Sequence, residues 1–70
     1  MKIRIIEIFG NSVTDNALRK YIGSVYDVWK VYENSIYKYA VIIKEISYQP
    51  IVLNDKEVEI IKRKKIWENL

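Results

Sequence analysis

The sequence predicts an all-β fold, a small five-stranded antiparallel barrel, and three observations carry that reading. Valine and isoleucine supply 20 of the 70 residues, against three leucines and two alanines. That balance favours pleated sheet, because branching at Cβ restricts χ1 in a helix. Turn formers are sparse: glycine stands only at positions 10 and 23 and proline only at 50, so each reads as a chain reversal. Between them lie short runs with the period-two alternation of half-buried strands.

The first strand is expected over residues 2–9. Ile3 and Ile5 face one side and Ile6 and Ile8 the other, so the alternation slips after Ile5, as at a β-bulge or a strand covered on both faces. Gly10-Asn11-Ser12 supplies turn chemistry, and residues 14–21 are read as an irregular loop in preference to a helical turn, ending at Gly23. Two long strands then form a hairpin. A tight reversal at Asn34-Ser35, with Asn34 in a left-handed conformation, sets Tyr32 opposite Tyr37, Lys30 opposite Tyr39, Val28 opposite Val41 and Tyr26 opposite Ile43. Ser47-Tyr48-Gln49-Pro50 makes the next reversal, Ile51-Val52-Leu53 is a short strand, and Asn54-Asp55-Lys56 is a turn. Val58 and Ile60 alternate with Glu57 and Glu59 in the last strand. The expected core is Tyr26, Val28, Val41, Ile43, Val58 and Ile60. Residues 1–61 then form one barrel domain, and residues 62–70 a basic tail or helical turn.

Composition narrows the chemistry. Cysteine and histidine are both absent, which removes disulfides, thiolate and imidazole metal ligands, histidine bases and cysteine nucleophiles together. The expectation is a non-enzymatic protein with no catalytic residues, no cofactor and no metal. The N-terminal apolar run is broken by Lys2, Arg4 and Glu7, so it does not read as a signal peptide, and no apolar run approaches the length of a membrane span. A soluble, cytoplasmic chain is expected. The net charge of +3 sits wholly beyond residue 61, where Lys62, Arg63, Lys64 and Lys65 outweigh Glu68. The body before them balances its acids and bases and has no overall field to attract polyanions.

Tyr21-Ile22-Gly23-Ser24-Val25-Tyr26-Asp27-Val28, then Tyr39-Ala40-Val41, then Glu57-Val58-Glu59-Ile60-Ile61 follow a charged, apolar first strand and a polar loop. This order resembles small Src-homology-3-like barrel proteins of bacteriophages and Firmicute mobile elements, over about residues 2–62. The resemblance implies a Src-homology-3-like barrel. It also implies a host-directed accessory role in the host cytoplasm, such as binding and inhibiting a host or defence protein.

Four groups of residues come into question for function. Trp29, Ile36 and Ile42 share the outward face of the hairpin, with Val31 among them. Together with Trp67 they form an apolar surface suited to a host protein or to another copy in a homodimer. Lys62, Arg63, Lys64 and Lys65 carry the alternative, weak nucleic-acid binding through phosphates. Tyr32, Tyr37 and Tyr39 gather near Lys30 and are expected to close a barrel end, while Glu57 and Glu59 read as one solvated strand face.

Overall fold

A computed structural model describes residues 1–62. Within them the chain forms β1 (Lys2–Ile5), helix α1 (Val13–Leu18) with a 3-10 turn at Arg19–Tyr21, β2 (Val25–Asp27), β3 (Lys30–Val31), β4 (Tyr37–Val41), β5 (Ile51–Asn54), a second 3-10 turn at Asp55–Glu57, and β6 (Val58–Ile61). The strands make two antiparallel three-stranded sheets, ordered β2-β1-β6 and β3-β4-β5. Within these residues the fold is mainly β with one short helix. Among the described residues no ladder closes the two sheets into a barrel, and the strands number six rather than five.

The extra strand has a local cause. The long strand expected before the hairpin changes partners midway: Val28 N–H donates to Met1 O at 2.8 Å, and the next amide, Trp29 N–H, donates to Ala40 O at 2.7 Å. One stretch of backbone therefore serves the first sheet as β2 and the second as β3.

The hairpin register is shifted by one residue from the expected one. Lys30 faces Ala40 and Val31 faces Tyr39. A tight two-residue turn would need positive φ at its centre, and the only described residue with positive φ is Gly23. Instead Ser35 N–H donates to Tyr32 O at 3.2 Å and Tyr32 N–H to Lys38 O at 2.7 Å, so the chain reverses through a wider connection that leaves Ile36 outside the ladder. A slip of one residue exchanges faces. Val31 accordingly turns toward the core beside Tyr39, which keeps its expected inward side, and Lys30 lies on the other side of the sheet.

The core gathers Ile3, Ile5, Ile8, Leu18, Tyr39, Val41, Ile43, Leu53 and Val58. Of the expected set, Val41, Ile43 and Val58 are buried and Tyr26 and Val28 pack half-buried against them. Ile60 departs from expectation at 41% exposed. It pairs with Ile3, but among the described residues β6 is an edge strand and Ile60 stands near its end. The slip in the first strand is a short-range rearrangement. β1 ends at Ile5, and the amides of Ile6 and Glu7 both donate to Glu57 O, at 2.9 and 3.3 Å, two residues against one as in a bulge. Ile8 thereby returns to the core while Ile6 turns out.

Residues 13–18 are helical, where a loop was expected. Ser12 Oγ accepts from Asp15 N–H at 3.0 Å, and Asp15 Oδ2 accepts from Ser12 N–H at 3.1 Å. This reciprocal capping box satisfies two otherwise orphaned amides. Leu18 anchors the turn in the core, and the Arg19 guanidinium donates to the carbonyls of Ile8 and Gly10, tying the helix back to the end of the first strand. A methyl group at Gly10 would collide with the capping carboxylate of Asp15.

Gly23 closes this long connection with φ of 95° while its N–H donates to Ile5 O at 2.7 Å. Gly23→Ala is expected to cost about 1–2 kcal/mol, the penalty for a Cβ in a left-handed conformation. A lower urea midpoint at unchanged m-value checks it; an unchanged midpoint would mean the turn relaxes freely.

Candidate functional site

The stretch that changes sheets also builds the most distinctive surface. Strand alternation sends Val25 and Asp27 to the outer face of the first sheet, and Trp29 follows beyond the end of β2. Ile42 arrives from the residue after β4. Val25, Asp27, Trp29, Ile42 and Lys2 line a shallow hollow where the two sheets part. Trp29 remains 57% exposed and Val25 40%, while Ile42 is half-buried.

The polar rim is an ion pair. Lys2 Nζ lies 2.9 Å from Asp27 Oδ1 across directly opposed positions of β1 and β2. The hydrogen bond from Lys2, reinforced by its charge, holds the Asp27 carboxyl below the ordinary carboxylate range. Because the folded-state value is depressed, the pairing is present above the unfolded-state pKa and is lost as pH falls through the lower folded value. Lys2→Ala is expected to return the Asp27 titration midpoint upward to the ordinary range, read from its side-chain carbon shift by NMR. An unmoved midpoint would assign the depression to another cause. Tyr26, which also borders the hollow, has its phenol pKa raised by desolvation, opposed by a hydrogen bond with Ser24.

The structure brings together Trp29 and Ile42 of the expected apolar surface but not Ile36. Ile36 is 71% exposed at the hairpin turn and borders a separate hollow with Asn54, Asp55 and Lys56 of the second 3-10 turn. Val31, expected beside Trp29, packs on the core instead. Trp67 lies outside the described residues. So do Arg63, Lys64 and Lys65, whereas Lys62 is described and exposed. Lys30 Nζ sits 5.1 Å from the centre of the Tyr32 ring, and Tyr39 is buried away from both on the inner face.

Glu57 and Glu59 do not share a face. Glu59 is exposed near Arg4, at 3.8 Å. Glu57 is only 4% exposed, and its two oxygens accept from Phe9 N–H at 2.9 Å and Asn54 N–H at 2.8 Å. Two contributors were missing from the expected site. Val25 was legible as a partner of Trp29 through alternation along one strand. The Lys2–Asp27 pair was not, since it depends on β1 pairing with β2 across a long connection.

Comparison with known proteins adds no relative. No family model, curated protein or solved structure matches the chain. No helix among the described residues is long and apolar enough to cross a membrane.

Proposed function

We propose that this chain is a non-enzymatic protein-binding module that engages a host or defence protein through the face centred on Trp29, carried on a Src-homology-3-like scaffold. The observation that carries the reading is Trp29 itself, a tryptophan more than half exposed beside Val25 and Ile42 on backbone that both sheets hold in place. Tryptophan is enriched among residues that dominate binding energy, and a rigid platform lowers the ordering cost of using it. The scaffold reading is supported by the order of elements: a strand, a long connection, a strand shared between sheets, a hairpin, a further strand, a 3-10 turn and a closing strand beside the first. The host-directed role is implied by the resemblance to phage and mobile-element proteins.

Trp29→Ala is expected to weaken partner binding about thirtyfold, the equivalent of about 2 kcal/mol, while leaving the fold intact because the ring is outside the core. Titration calorimetry of the wild type and variant against a captured host partner, with circular dichroism as the folding control, makes the comparison. A partner indifferent to Trp29→Ala would remove this face from the interaction. Salt-sensitive binding to duplex DNA, equally indifferent to Trp29, would favour the basic run at residues 62–65 instead.

A further inference from the structure

The point at which the chain leaves β6 lies beside the Trp29 hollow. β2 and β6 both run antiparallel to β1 and hence parallel to each other, and Lys2 faces Asp27 on one side and Ile61 on the other. Both strands therefore leave the first sheet at its Lys2 end, β2 toward Trp29 and β6 toward residues 63–70. Met1, Lys2, Asp27 and Ile61 line a second hollow there, which shares Lys2 and Asp27 with the one lined by Trp29 and Ile42. Two strand spacings across and two residues along put Ile61 about 12 Å from Trp29. The six steps from Ile61 to Trp67 span about 9 Å as helix and about 20 Å when extended, so the link brackets that gap.

We propose that residues 63–70 of the same chain are the resident occupant of the Trp29 hollow, with Trp67 set against Trp29 and Ile42. The apolar residues of that segment, Ile66, Trp67 and Leu70, match the exposed ring of Trp29 and the Val25 and Ile42 side chains beside it. The cations at 62–65 form the link, and its path from Ile61 passes Asp27, the one carboxylate among the described residues that line the two hollows. Tethering decides between this segment and a second copy. A link this short presents its segment at an effective concentration on the order of millimolar, far above that of a second copy in dilute solution. Resting on the reading of the Trp29 face as a binding surface, the contact is also autoinhibitory: a partner reaches that face only by displacing the segment.

The chain has no cysteine, so Glu68→Cys gives a single attachment point for a nitroxide on the full-length protein. In the isotope-labelled chain the nitroxide should at least halve the amide NMR signals of Val25, Asp27, Trp29 and Ile42, while those of residues 34–36 at the hairpin turn keep most of their intensity. Adding Trp67→Ser to the same chain should restore the signals at the hollow. A loss that is even over the molecule, or that ignores Trp67→Ser, overturns the proposal. So does an equal loss in isotope-labelled wild type mixed with spin-labelled, unenriched chain, which would assign the hollow to a second copy. Trp67→Ser should also raise the affinity for a captured partner at least fivefold in titration calorimetry, and an unchanged or lower affinity overturns the autoinhibition. A partner indifferent to Trp29→Ala, found together with selective signal loss at the hollow, would remove the binding surface and leave the contact within the chain standing.

Discussion

Val41→Asp is expected to abolish folding. Val41 has no exposed surface and sits on β4, the central strand of the second sheet, paired with Ile51 on one side. An aspartate there would have to bury a charge without a partner or fold in its neutral form, and both routes are costly. The loss is expected to reach about 4 kcal/mol or more, the range reserved for buried unpaired charges. A 70-residue domain has about 4–10 kcal/mol of stability in total at the usual yield per residue. The substitution should therefore remove near-UV circular dichroism and the cooperative urea transition. Retention of both would show that the centre of β4 is not the core. Val28→Asp offers a graded comparison, because Val28 is only half-buried and an acid there retains a route to water.

Glu57→Ala is expected to cost about 3 kcal/mol, because it strips acceptors from two backbone amides at once and hydrogen bonds to a charged group are the stronger kind. One of those amides, Phe9 N–H, belongs to the long connection after β1, and the other, Asn54 N–H, opens the turn before β6. The carboxylate thus pins together segments 48 residues apart in sequence. Glu57→Gln keeps one acceptor oxygen and should recover part of the loss. Glu59→Ala, two residues along but on the exposed face, should change stability by only about 0.5 kcal/mol or less. Chemical denaturation of the three variants side by side makes the test. Equal effects at positions 57 and 59 would contradict the buried, bonded state of Glu57.

The contrast between these two glutamates shows how far the sequence could be read. Their alternation with Val58 and Ile60 identified the last strand, yet it also suggested that both acids share a face. Glu57 precedes the strand, in a 3-10 turn capped by Asn54, so the two-residue period does not apply to it. The same limit explains the hairpin. The alternation of residues 25–32 and 37–44 identified strands, but the register was set by the turn, and Asn34 does not take the left-handed conformation on which the tight turn depended. The helix at Val13–Leu18, where a loop was expected, was locally legible in the capping pattern Ser12-x-x-Asp15. On the candidate site, Trp29 and Ile42 could be paired from alternation alone. Separating them from Ile36 required the wide hairpin connection, and the Lys2–Asp27 rim required a pairing between distant parts of the chain.

The pairing of β1 with both β2 and β6 has a consequence for how the protein is made. Lys2 faces Ile61 and Ile5 faces Val58, so β1, once it leaves the ribosome, cannot complete its sheet until nearly sixty later residues have followed. Contacts of such long sequence separation delay folding, because the entropy of closing the loop is lost before the pairing rewards it. While translation continues, Ile3, Ile5 and Ile8 have no β6 to cover them, and the nascent chain presents an isoleucine-rich strand with an open edge. The charges interleaved at Lys2, Arg4 and Glu7 then act as gatekeepers during synthesis, discouraging that strand from pairing with its counterpart on a neighbouring nascent chain.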